Sequence, residues 1–346
     1  MRIRWKVQVV MAAALLVLLA ACGGNGGGSS SSGGRTTLHV LVYPGSVIDL
    51  PIWTAQAEGF CAKQNINCVA TKVQSGPLGL QLLASGDLQV FYASTDVTVE
   101  AASHGAAVSI IGGIRPDNFY DLLVRNGVKL PHRSQGYPAV MQDLMGKVIG
   151  VNALGAGSQL EAEALFAGAG ISPAKATYVA VGAPATEYTA LTNGRVDAVM
   201  ASTPVPAICQ VEHTCSSLVN LQNTGPQELK SLNGAFTTFV AEKSYVASHK
   251  AAIKGFITAM QQTFQWLKNP GNLNAAVQIA QKNINFSSLP GSQKVLRAAV
   301  ENEVNSFGIG VKRSAVSAFS AYLLQHKLIK QQVPASSLVS GLAPNP

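Results

Sequence analysis

Short apolar runs alternate with amphipathic stretches and turn residues along most of this chain, most regularly between positions 143 and 203. Val148-Ile149-Gly150-Val151 follows the turn residues Gly146-Lys147 and precedes a small-residue turn, Asn152 to Ser158. A helical pattern comes next, then the apolar run Tyr178 to Val181, a short helix closing on Asn193-Gly194, and the run Val196 to Ala201. Strand, turn, helix, strand, helix, strand is a β-α-β-α-β unit, with parallel strands joined by right-handed crossovers.

The same alternation occupies the first part of the chain. Strands are predicted at Thr37 to Tyr43, near Cys68 to Val73, at Leu88 to Tyr92 and at Val108 to Ile114. Helices start near Pro51, at Leu78 and after Ser94-Thr95-Asp96; Pro51 suits a first helical position and Asp49 a cap. Ile114 to Arg125 reads as a crossing into a second half, with a strand at Tyr120 to Arg125, and Pro131 to Pro138 reads as a polar excursion. Leu218 to Leu221 and Phe236 to Ala241 are further strands, the second returning the chain to the first half. Beyond Tyr245 the period is helical, and Ile253, Phe256, Ile257, Met260, Phe264 and Leu267 fall on one core-facing stripe. Helices are expected at Leu273 to Lys282, Gln293 to Ser306 and Ala315 to Gln325, and Pro334 to Pro346 is expected to be loosely held.

The strand-to-helix turns carry the candidate chemistry. Ser158 can cap the helix that follows it, with Glu161 at capping-box spacing. Gly155 and Gly157 let backbone approach a ligand, and the first N–H groups of such a helix can hold an anion or a polar oxygen. The plainer alternative is that Ser158 and Glu161 only cap each other. The turns at Ser46 to Asp49, Ser75-Gly76 and Ser94-Thr95 have the same form, and in open parallel sheets such turns lie at the carboxyl ends of strands, where ligands bind. Ordinary capping explains the residue types equally well.

The N-terminus changes the picture of where this chain works. Arg2, Arg4 and Lys6 precede an apolar run, Val7 to Leu19, too short to span a bilayer comfortably, so an export signal is the better reading. Leu19-Ala20-Ala21-Cys22 resembles a bacterial lipobox, which implies cleavage before Cys22, its lipidation and a membrane anchor. Residues 23–34 are almost pure Gly and Ser, a flexible tether reaching roughly 20 Å. The remaining stretch of about 310 residues is long for one core and suggests two lobes. The 25 basic residues fall to 22 once the signal is set aside, against 17 acidic, a net charge of +5. No basic run or RNA-binding aromatic motif accompanies it, so nucleic acid is not an expected partner. Cys61, Cys68, Cys209 and Cys215 form two close pairs; in an oxidising compartment the simplest connectivity is Cys61–Cys68 and Cys209–Cys215, each worth about 2.5 kcal/mol. A zinc site is disfavoured because no pair has Cys-x-x-Cys spacing.

Several ordered segments point to a family. DLMGKVIGV, GAGS and ALTNGRVDAVMAS in the central stretch, with DLPIWTAQAEGFCAKQNINCVATKV and LLASGDLQVFYAST upstream, resemble ABC-transporter substrate-binding proteins of the nitrate/sulfonate/taurine and thiamine-pyrimidine-precursor type. The resemblance covers residues 37–270. It implies a two-lobed α/β fold of the type II periplasmic-binding-protein class, each lobe a mainly parallel sheet flanked by helices, with the ligand cleft between lobes. Expected boundaries are 1–21 for the signal, 22–35 for the lipidated cysteine and tether, 36–116 plus 238–346 for the first lobe and 117–237 for the second. Implied ligand contacts are Ser46, Asp49, Trp53, Ser75, Gly76, Tyr92, Ser94 and Thr95 in the first lobe. In the second they are Ala156, Gly157, Ser158, Gly182 and Thr203. Arg115, at the crossing, can neutralise an anion or simply pair with a carboxylate. The ligand is expected to be a sulfonate-, taurine- or nitrate-like anion, or a pyrimidine-like compound stacked on Trp53 or Tyr92. The implied partners are an ABC permease with its ATPase, for a monomeric, extracytoplasmic, membrane-anchored binding protein. A membrane sensor that receives the ligand is the alternative.

Enzyme chemistry is not expected. His39, His104, His132, His213, His249 and His326 are scattered without metal-ligand spacing. Gly155-Ala156-Gly157-Ser158 is neither a nucleophile elbow nor a dinucleotide fingerprint, since the Gly-x-Ser-x-Gly order is missing and Leu160 stands in the third glycine's place. Relatives of this fold that are pyrimidine synthases use a histidine and a cysteine-rich motif, and this chain has no cysteine cluster. No cofactor or metal is expected.

Overall fold

The computed structural model describes residues 34–222, 224–284 and 292–346. The predicted signal segment, the lipidation site Cys22 and the tether up to residue 33 lie outside them. Residues 35–346 form one unit.

Four strands open the fold: β1 (Thr36–Val42), β2 (Ile66–Lys72), β3 (Phe91–Ser94) and β4 (Val108–Arg115), separated by α1 (Leu50–Ala57), α2 (Phe60–Lys63), α3 (Gly76–Ser85) and α4 (Thr95–Ser103). The chain then crosses to β5 (Asp121–Arg125), β6 (Val148–Val151), β7 (Thr177–Ala180), β8 (Ala198–Ala201) and β9 (Cys215–Asn220). With these strands come α5 (Gly157–Gly168), α6 (Pro184–Thr192), α7 (Val205–Glu212) and α8 (Gln227–Lys230). It returns through β10 (Thr237–Glu242) and closes with α9 (Lys243–Ser248), α10 (Lys250–Lys268), α11 (Leu273–Asn283), α12 (Ser292–Glu303), α13 (Arg313–Gln325) and α14 (Ala335–Leu338).

The two sheets share one plan. In the first, β1 and β2 pair in parallel, β10 runs antiparallel between β3 and β4, and a parallel bridge from Val40 to Val90 joins the two groups. In the second, the order is β7-β6-β8-β5-β9, with β6 parallel to β7 and β8 and β5 antiparallel to β8 and β9. Each sheet thus receives one antiparallel strand from a chain segment that has just crossed from the other lobe. This is the two-lobed α/β architecture the sequence predicts, with an inserted antiparallel strand in each otherwise parallel sheet.

Packing follows the sequence pattern. All six residues of the predicted α10 stripe are buried, and α10 lies against α1, α2 and β2. Tyr43, Tyr92, Phe239 and Phe256 make successive edge-on ring contacts that run from the cleft into the first lobe, a favoured aromatic geometry. Phe119, Tyr120 and Phe236 cluster at the crossing. Both predicted disulfides are present, Cys61–Cys68 tying α2 to β2 and Cys209–Cys215 tying α7 to β9, with Cα separations of 6.0 and 4.8 Å.

Two expectations are corrected. The tail from Pro334 is docked rather than loose: Leu338, Val339 and Ala343 are buried. Val339 bridges Ile110, the Ser340 N–H donates to the Ile110 carbonyl, and the Val311 N–H donates to Pro344. Burial of the apolar pair Leu338-Val339 offsets the cost of ordering this terminal segment. The Ser158–Glu161 capping box does not form, because α5 is capped at Ala156 with no side-chain hydrogen bond.

Candidate functional site

Where the carboxyl ends of strands from both sheets face each other, the turns enclose a cavity of about 80 Å³. The first lobe contributes Tyr43, Ser46, Gln74, Gly76, Tyr92 and Ser94. The second contributes Asn152, Ala156, Gly157, Ser158, Gly182, Glu187 and Ser202, while Phe119, Tyr120 and Thr237 come from the crossings. The lobes meet closely here. A Cβ on Gly157 would overlap the Ser94 hydroxyl oxygen and lie 3.3 Å from the Tyr120 oxygen. Gly182 and Gly155 turn the chain with φ of +83° and +72°, backbone that side chains with a Cβ rarely adopt.

Eight of the fourteen predicted contacts line this cavity: Ser46, Gly76, Tyr92, Ser94, Ala156, Gly157, Ser158 and Gly182. Six do not, and each is occupied elsewhere. Ser75 accepts a hydrogen bond from the Leu78 N–H and so caps α3. Asp49 is buried behind the wall, where its carboxylate accepts from the Tyr92 hydroxyl. Trp53 shares a separate small pocket with Asp49. The Thr95 hydroxyl donates to the Ala235 carbonyl at 2.5 Å. Arg115 is buried in an ion pair with Glu303 and lies over the Phe119 ring at 4.9 Å. Thr203 faces a different cavity, of about 640 Å³, between α7, β9 and α12. That larger space holds Arg115, Glu303, Asp121 and Ser217, and Asp121 accepts from Ser217 and Asn220.

The serines at the turns divide into two kinds. Ser75 is a cap. Ser46 and Ser94 stand at helix starts without a side-chain cap hydrogen bond. The Ser158 hydroxyl accepts from the Asn152 N–H and donates to Asn152 Oδ1, which fixes the turn before α5 instead of capping it. Glu161, freed from the expected capping box, accepts from Asn118 Nδ2 at 2.9 Å in the interior.

Carboxyl groups dominate the electrostatics. Burial pushes Glu187 up to about 8, and burial pushes Asp96 up to about 6 although the Ser94 hydroxyl and the Val97 N–H counter it. Glu161 is raised well above the usual carboxyl range by burial and by the charge of Asp96, so the two lobes bring one acid each to a shared interior. Burial also raises Asp49, against the opposing Tyr92 hydrogen bond. Among the described residues lining the cavity there is no Lys, Arg or His.

A match to the family model described as NMT1/THI5 like spans residues 49–272. The chain belongs to the NMT1/THI5-like family. The fold agrees. The alkanesulfonate-binding protein SsuA from Xanthomonas axonopodis pv. citri, bound to MOPS, superposes with a TM-score of 0.69 at 17% identity, over 88% of this chain and 98% of that one. The periplasmic aliphatic sulphonate binding protein SsuA from Escherichia coli gives 0.66 at 16%, over 87% and 96%. The periplasmic nitrate-binding protein NrtA from Synechocystis PCC 6803 gives 0.58 at 14%, over 73% and 69%. No curated protein matches this NMT1/THI5-like chain by sequence.

Sequence reasoning missed Glu187, Tyr43, Gln74, Asn152, Phe119, Tyr120, Ser202 and Thr237. A signal for Glu187 was present: Gly182-Ala183-Pro184 is a further strand-to-helix turn, Pro184 marks the first helical position, and Glu187 lies one turn in. For Phe119, Tyr120 and Thr237 the sequence marks only the crossing, and which side chains turn inward depends on how the lobes meet.

Proposed function

We propose that this protein is an extracytoplasmic solute-binding protein that encloses a small molecule between its lobes and delivers it to an ABC importer permease. The observation that carries the reading is the cavity lined by strand-to-helix turns from both sheets. Such a site is completed only when the lobes approach, so ligand contacts to both sides favour the closed form. The crossings at residues 116–120 and 234–237 would serve as the hinge; there the Gly234 and Phe236 N–H groups both donate to the Pro116 carbonyl. We extend the reading to a monomer held at the membrane by lipidated Cys22, its Gly/Ser tether giving the lobes reach toward the permease. Structural relatives bearing the names sulfonate-binding and nitrate-binding protein support solute binding as the role.

Gly157→Val tests it. The side chain would wedge between Ser94 and Tyr120 and hold the lobes apart. Affinity for the ligand, measured by calorimetry, is expected to fall at least tenfold, while far-ultraviolet circular dichroism and the melting temperature of the ligand-free protein stay near wild type. Undiminished affinity would contradict closure at this turn.

A further inference from the structure

Glu187 has 4% of its surface exposed and forms part of the cavity wall. No hydrogen bond or ion pair reaches its carboxyl group among the described residues, and burial alone accounts for its raised titration. A buried, unpartnered carboxylate is unfavourable, and its place in the first turn of α6 offsets that only in part. Thr237 stands on the same wall, and its hydroxyl is likewise buried without a partner. A carboxyl group on a cavity wall that no side chain or backbone group among the described residues satisfies points to an occupant that does.

The charge of that something follows from what surrounds it. With no Lys, Arg or His on the wall, an anion would meet Glu187 with no compensating side chain. Two of the helix starts that would favour anions carry carboxyl groups of their own, Asp96 in α4 and Glu187 in α6, both buried. Arg115, the arginine at the crossing, is consumed by Glu303. The rings of Tyr43, Phe119 and Tyr120 complete the wall, and aromatic faces attract cations.

We propose that the ligand is a small organic cation bearing N–H donors, an amine or amidine, held by Glu187 against the Tyr43, Phe119 and Tyr120 rings. This rests on the solute-binding reading above. It separates the protein from the relatives whose names specify sulfonate and nitrate.

The test is calorimetric titration of the exported protein with benzamidine and butylamine. Benzamide serves as the uncharged near-isostere of benzamidine, and ethanesulfonate and nitrate as the anions. At least one cation is expected to bind, benzamidine at least about tenfold tighter than benzamide, as a charge-assisted hydrogen bond requires. Glu187→Gln is expected to weaken the cation by at least about tenfold while the ligand-free variant melts no lower than wild type. Should that variant fail to fold, the benzamidine-to-benzamide ratio on wild type carries the test. Cation binding that is unchanged in Glu187→Gln would overturn the role of Glu187. Binding of ethanesulfonate or nitrate in preference to every cation would overturn the ligand class and leave solute binding standing. Binding of none of these compounds would overturn the ligand class and count against solute binding itself.

Discussion

Arg115 and Glu187 are buried to the same extent, each with 4% of its surface exposed, yet they are treated in opposite ways. Arg115 has Glu303 as counter-ion and the Phe119 ring beneath its guanidinium, although its Nε–H finds no acceptor among the described residues. It binds β4 to α12 and borders a cavity whose other acid, Asp121, is also hydrogen-bonded. Glu187 borders the smaller cavity and has no partner among the described residues. A buried charge with a partner belongs to the architecture. A buried acid without one is held out of its charged form, so its presence on a cavity wall points to an occupant that would restore the charge. Cavity size alone would point to the other region, since the space around Arg115 is the larger.

The sharpest way to break this comparison is to unpair Arg115. Arg115→Ala leaves Glu303 buried with only the Ser306 hydroxyl as partner among the described residues and should destabilise the fold by about 3–5 kcal/mol, read from urea unfolding. A loss under 1 kcal/mol would mean that the pair is not buried in solution. Glu187→Gln should act in the opposite direction, stabilising the ligand-free protein by about 1–3 kcal/mol at pH 8. The sign follows from linkage. Glu187 titrates higher folded than unfolded, so its contribution is complete below the ordinary carboxyl range and is lost as pH rises toward about 8. Wild-type melting temperature should therefore fall between pH 5 and 8 more steeply than that of Glu187→Gln. Asp96 adds a similar decline below about 6 in both proteins. The smallest effect separates cap from wall. Ser75→Ala should lower stability by about 1 kcal/mol and leave affinity alone, whereas Ser46→Ala should leave stability within about 0.5 kcal/mol.

The fold was largely legible in the sequence because its signals are local. The alternation of apolar runs and turns places the strands, the period of residues 253–267 places the α10 stripe, and close cysteine spacing places the disulfides. The site was legible to the extent that it is made of turns, so the Gly157-Ser158 turn and Ser94 were found. What escaped depends on partners distant in sequence. Arg115 looked available until Glu303, 188 residues away, took it. Asp49 looked like a ligand contact until Tyr92 covered it, and the tail from Pro334 looked loose until Ile110 received Val339. Glu187 escaped for the converse reason, since nothing local reveals that a helical glutamate will be buried and left without a partner.

The most direct test of the account is the affinity of wild type for benzamidine between pH 6 and pH 8, a range over which the probe keeps its charge. Binding requires an ionised Glu187, so affinity is predicted to rise by up to about tenfold per pH unit toward pH 8. The profile of Glu187→Gln should be flat apart from any contribution of Asp96 and Glu161, the other buried acids near Tyr120. An affinity that is independent of pH, or that falls as pH rises, would contradict the claim that this carboxylate receives the ligand.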